Sequence, residues 1–137
     1  NTSVEEPDVV SKLQSDPAPV SASPLELRSV RFVGKGNGLE LHSGELAKVV
    51  VEVYNNTPEY MYNVKPMVME TSGNKHVFVS APIIVEKIAP GKGIRYTAMV
   101  KADKKLKDGK VHFTVCAQES AQLRKSEIRE FDVTTIR

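Results

Sequence analysis

Cysteine occurs once, at Cys116, so no disulfide framework can form within this chain. Tryptophan is absent and aromatic residues make up 6% of the sequence, which leaves little material for the stacking platforms that hold single-stranded nucleic acid. No run approaches the ~18 apolar residues of a membrane-spanning helix. Lysine and arginine barely outnumber the acids: the net charge is +2, with 26% charged residues. That balance argues against nucleic acid and against a general affinity for anionic membranes. A persuasive helical period is also missing. With 137 residues, one domain burying roughly two thirds of its unfolded surface needs no staple.

What is present is alternation. In Glu45–Glu70, Ala47, Val49, Val51 and Val53 alternate with Lys48, Val50, Glu52 and Tyr54. A period of two puts the first set on a core face and the second on a mixed, wetter face. Asn55-Asn56-Thr57-Pro58 stops that strand. The alternation resumes with Val64, Pro66 and Val68 on one face and Lys65, Met67 and Met69 on the other. Pro66 predicts an edge or a bulge, because proline donates nothing to a ladder.

Further strands are predicted at Leu25–Val33, Leu39–Leu41, Ile94–Ala102, Val111–Gln118 and Glu127–Ile136, and His76–Ile88 reads as a strand bent or split at Pro82. In Val111–Gln118, the residues Val111, Phe113, Val115 and Ala117 alternate with His112, Thr114, Cys116 and Gln118. The expected fold is therefore all-β, an antiparallel β-sandwich of seven or eight strands. Residues 1–24 are rich in Ser, Pro, Asp, Glu and Ala, and are expected to be a flexible tether ahead of a domain at 25–137.

The order of the signals is familiar. Phe32, then Gly36-Asn37-Gly38-Leu39-Glu40, Ser43-Gly44-Glu45, the valine-rich strand ending Asn55-Asn56, Tyr62-Asn63-Val64, Ile88-Ala89-Pro90-Gly91 and Leu106-Lys107-Asp108-Gly109 resemble a bacterial immunoglobulin-like sandwich of the cell-adhesion-related (CARDB-like) kind. The resemblance covers about Leu25–Ile136. It implies a non-catalytic module of an envelope or secreted protein, periplasmic or at the cell surface, acting in protein contact or as a spacer. Membrane attachment would then run through the N-terminus. Some related modules carry an Asp/Asn-rich calcium loop where this chain has Gly34–Gly38. Here that loop offers Lys35 and Asn37 but no carboxylate, so no metal is expected.

Chemistry-bearing residues are few. His112 and Cys116 lie about 13 Å apart on one extended strand, too far for a catalytic pair. His42, His76 and His112 lack metal-ligand spacing, and neither GKGNG nor Gly91-Lys92-Gly93 matches a phosphate loop. Lys101–Lys110 reads as a solvated basic turn. Asn55-Asn56-Thr57 matches a glycosylation sequon. No catalytic residue and no cofactor is expected. Two surfaces stand out. Lys65, Met67, Met69, His112, Thr114 and Cys116 should share an outward face if their strands are neighbours, a candidate contact for another envelope protein or for a second copy. Tyr54, Tyr60 and Tyr62 form a candidate aromatic platform, which carries the alternative reading of a glycan- or ligand-binding accessory domain.

Overall fold

A computed structural model describes residues 23–137. The expected tether falls on 1–24, of which 1–22 lie outside the described residues. Ser23 and Pro24 are held to the domain by Asn56: its side-chain amide donates to the Ser23 carbonyl at 3.1 Å and its backbone N–H to the Pro24 carbonyl at 2.8 Å.

The described residues form ten strands: β1 Leu25–Val33, β2 Glu40–His42, β3 Leu46–Asn55, β4 Met61–Glu70, β5 Val77–Val79, β6 Val85–Ile88, β7 Gly93–Ala102, β8 Gly109–Glu119, β9 Arg124–Lys125 and β10 Arg129–Ile136. A four-stranded sheet runs β1-β3-β7-β5, and a six-stranded sheet runs β2-β10-β8-β4-β6 with β9 paired to β8. All pairings are antiparallel except β2 with β10. The count exceeds the expected seven or eight for two reasons. His76–Ile88 is split, and Arg124–Lys125 adds a short return strand to the end of β8.

The split has a plain cause. Val77–Val79 pairs with β7 in one sheet, the chain leaves the ladder through Ala81-Pro82, and Val85–Ile88 pairs with β4 in the other. One apolar run therefore edges both sheets. Ser72-Gly73-Asn74 likewise turns the chain, with Gly73 at φ 77°, but it links the two sheets instead of closing a hairpin.

The core lies between the sheets and follows the predicted parity. Ala47, Val49, Val51 and Val53 of β3 face Val111, Phe113, Val115 and Ala117 of β8, and all are buried. Tyr96, Ala98, Val100 and Ala102 of β7 join them. Phe113 stacks between Phe32 and Phe131, at centroid separations of 6.3 and 5.5 Å. Val50 departs from its wet parity and is buried, between Arg31 of β1 and Thr97 of β7. Leu106, within the basic turn, is fully buried and plugs one end of the sandwich.

Pro66 sits opposite Ala117. Ala117 turns both its N–H and its C=O toward Ser126, away from β4. By ladder alternation the Pro66 nitrogen also faces outward, on the side where β6 has already ended at Val64↔Val85. The proline thus occupies a local edge.

Candidate functional site

β4 lies beside β8, with Lys65 opposite Gln118, Met67 opposite Cys116 and Met69 opposite Thr114. On the far side of β8, β10 sets Asp132 opposite His112 and Glu130 opposite Thr114. The outer face of the six-stranded sheet therefore carries Lys65, Met67, Met69, His112, Thr114 and Cys116 together. Met69 is 39% exposed and the other five are half-buried.

The His112 ring lies between two acids. Its Nδ1 is 2.7 Å from Asp132 Oδ1 and its Nε2 is 2.7 Å from Glu130 Oε1. Donation to Asp132, then to Glu130, raises its pKa above the ordinary imidazole value, because only the imidazolium can donate from both nitrogens. Burial pushes the Cys116 thiol upward, and Lys125 only partly offsets this. The sulfur thus remains a protonated thiol near neutral pH and is a poor nucleophile.

The tyrosines do not assemble as one platform. Tyr60 and Tyr62 stack with centroids 6.2 Å apart, each is 47% exposed, and Lys87 Nζ lies 5.7 Å from the Tyr60 ring. Tyr54 belongs to β3 in the opposite sheet, where Arg28 lies 3.8 Å over its ring. The expected trio is corrected to a pair, because Asn55–Tyr60 crosses between the sheets instead of closing a hairpin. Tyr54 is fixed from below by Gly93, where an added Cβ would come within 2.8 Å of the ring.

Several polar residues with no motif around them prove to be structural. Glu45 is buried at the start of β3 and accepts from the Lys35 amide and, at 2.7 Å, from the His42 amide; His42 Nδ1 lies 3.2 Å away. Burial acts to raise its pKa, but these donors together outweigh burial and lower it. An added Cβ at Gly34 would meet this carboxylate at 2.8 Å. The Lys35 amide of the Gly-rich loop, an amide a phosphate would use, is thus taken by the protein's own acid. Glu119 is buried at the end of β8 and accepts from the Gln122 amide at 3.0 Å and from Arg124 Nε at 2.9 Å. Here too burial is outweighed, by Arg124 and the amides, and the pKa falls. Asn55, the sequon residue, is fully buried and donates to the Glu59 and Ile88 carbonyls. His76 Nδ1 lies 2.9 Å from Asp103 Oδ2. Among the described residues no group of three or more His, Cys, Asp or Glu is placed to hold a metal.

No protein-family profile matches the sequence, and no curated protein does. Solved structures do match. The Escherichia coli alpha-2-macroglobulin superposes with a TM-score of 0.55 at 15% identity over 84% of this chain, which spans only 7% of that much longer protein. The CARDB domain of a Pyrococcus furiosus protein gives 0.55 at 14% identity, over 84% of this chain and 98% of that one. A FixG-related protein from Vibrio parahaemolyticus gives 0.53 at 12% identity, over 83% and 98%. The fold is a CARDB-like, immunoglobulin-like β-sandwich. At these identities the likeness defines the fold alone.

Proposed function

We propose that this chain is a non-catalytic immunoglobulin-like module of a bacterial envelope or secreted protein, acting at the periplasm or cell surface by contact with another protein. The observation that carries the reading is the Met67, Met69 and Cys116 cluster on the outer face of the six-stranded sheet. Thioether and thiol groups lose little hydration when covered, and methionine adapts its shape to a partner. Beyond Lys65, Ile84 and Leu123 stand 64% and 82% exposed around a hollow that Lys65 also lines. A photo-crosslinking residue at position 67, with another at position 99 on the opposite sheet as control, tests it in envelope fractions. A discrete adduct from position 67 only is expected. Equal labelling from both positions would dismiss the face.

The stacked Tyr60–Tyr62 pair favours a second reading, a glycan-binding accessory domain, since paired exposed rings can stack on a sugar face. Replacing Tyr60 and Tyr62 with Ala should then abolish retention on a polysaccharide column without unfolding the domain.

A further inference from the structure

One side of the sandwich, between β1 and β10, is open. β2 pairs only with Thr134–Ile136, so the same edge of β10 from Arg129 to Val133 has no described strand beside it. The Thr134 amide donates to the Leu39 carbonyl at 2.9 Å, toward the β2 side. Alternate residues of an antiparallel strand turn both backbone groups the same way. Glu130 and Asp132 therefore direct N–H and C=O to this open edge, where no described backbone group meets them.

The neighbouring stretch behaves differently. Leu27 of β1 also points its backbone outward, but its N–H donates to Glu127 Oε1 at 3.2 Å and its C=O accepts from Arg129 at 3.3 Å. Two side chains cap Leu27, and none of the described ones caps Glu130 or Asp132. Between the edges lies a hollow of about 410 Å³. Val30, Phe32, Leu39 and Phe131 give it an apolar lining, with Arg31 and Arg129 at its rim. Arg129 is engaged by Glu127, whereas Arg31 has no carboxylate partner among the described residues. Glu130 also lines the hollow, but its carboxylate is drawn to His112 on the outer face. β1 is bulged here, with Ser29 at φ 55° and a register shift between Arg28 and Arg31. That bulge spoils β1 as a template and leaves β10 as the regular edge.

We propose that the open edge of β10 accepts an extended segment of a partner protein as an added strand, its alternate apolar side chains filling the hollow against Phe32 and Phe131 and its intervening basic side chains lying on the outer face across from Glu130 and Asp132, two carboxylates that share the one ring of His112. Added strands gain main-chain hydrogen bonds from the edge and specificity from pockets for every second side chain. The surface is distinct from the sheet face discussed above and does not depend on it.

The test uses the full chain, isotope-labelled, titrated with an acetylated peptide of alternating Val and Lys and with a block-order peptide of the same composition. The alternating peptide is expected to slow amide exchange at Glu130 and Asp132 by at least about tenfold, and the block-order peptide to have no effect. Asp132→Pro removes the edge donor without touching the β8 ladder and should abolish this protection. Because proline there could unsettle the strand, a Glu130→Lys, Asp132→Lys variant provides a second arm: it should weaken the basic peptide and allow binding of an alternating Val and Glu peptide. Absence of saturable protection, protection mapped elsewhere, or binding indifferent to the charge reversal at Glu130 and Asp132 overturns the proposal. So does protection already present in the free chain that disappears on dilution, which would make a second copy the occupant, or on deletion of residues 1–22, which would make that segment the occupant.

Discussion

On the four-stranded sheet the outward side chains of β3 and β7 include Lys48, Glu52, Arg95 and Lys101. Exposed apolar residues occur there too, but each is set against a charge: Met99 lies opposite Lys48, while Leu46 and Phe78 both lie opposite Lys101. On the six-stranded sheet Met67 lies opposite Cys116 and Met69 opposite Thr114, so the sulfur groups face each other or a hydroxyl; Lys65 and Lys125 stand at one end of this row, and Glu130 and Asp132 beside it are engaged by His112. Both sheets obey the same alternation, so the period decides only which residues leave the core. What the outward residues are decides which face can give up water at low cost. Lysine ammonium groups and an exposed Arg95–Glu52 pair at 3.8 Å resist covering, whereas thioethers do not. The two sheets should therefore behave alike on their inner faces and differ on their outer ones.

The inward faces should be equivalent in kind. Phe113→Ala removes a fully buried ring stacked on two others and is expected to cost about 3–5 kcal/mol in urea unfolding. Val51→Ala on one sheet and Val115→Ala on the other, both fully buried, should cost about 1–3 kcal/mol each. A loss below about half a kcal/mol at either valine would mean that one sheet does not share the core.

The next effect belongs to the buried acids. Glu119→Ala orphans the Gln122 amide and Arg124 and should cost about 1–3 kcal/mol. Glu45 and Glu119 both have lowered pKa values in the folded state. Their contribution is therefore complete above the unfolded carboxylate pKa and is lost as pH falls through the lower, folded values. Glu119→Gln should flatten the acid limb of a stability–pH curve; an unchanged acid limb would show that the carboxylate is already solvated.

A smaller effect, of opposite sign, comes from His112. Its folded pKa is raised, so its stabilisation is fully present below the unfolded imidazole value and is lost as pH rises through the folded one. His112→Asn should remove that decline and leave the acid limb untouched. The ring proton titration, followed by NMR, should move down toward the ordinary value in an Asp132→Asn, Glu130→Gln variant. No movement would mean that the acids do not hold the ring.

The parity of β3, β7 and β8 was legible in the sequence because apolar residues recur there at every second position, with the extra valine at Val50 as the one departure in β3, and the split at Pro82 because proline cannot serve a central ladder. Other features were not legible, for physical reasons. The Ser29 bulge places both Arg28 and Ser29 in solvent, and a shift of one residue leaves no compositional trace. Glu45 and Glu119 stand at strand ends, where a carboxylate ordinarily meets water; their burial depends on amides from other turns. Asn55-Asn56-Thr57 matched a sequon by type, yet the Asn55 side chain is turned inward, donating to the Glu59 and Ile88 carbonyls and accepting from the Thr57 amide and hydroxyl. Strand adjacency placed Met67 beside Cys116, but only the sheet assignment of β3 and β4 could separate Tyr54 from Tyr60 and Tyr62.

The smallest expected change in stability is also the most discriminating. Changing Met67 and Met69 together to Lys puts two ammonium groups on the outer face of the six-stranded sheet. Met69 is 39% exposed and Met67 is half-buried, so both new side chains can reach water along their stems. Unfolding free energy should therefore drop by less than about 1 kcal/mol, in line with surface substitutions. Met99→Lys, on the opposite sheet and also 39% exposed, should be equally mild. The two should part in binding. Partner capture or self-association, measured by sedimentation and crosslinking, should be lost in the Met67→Lys, Met69→Lys protein and kept in the Met99→Lys protein. Equal loss in both would make the effect one of general charge. A drop of several kcal/mol in the double variant alone would show that the sulfur face is packed against part of this same chain, and the contrast between the two sheets would then be one of internal covering and not of recognition.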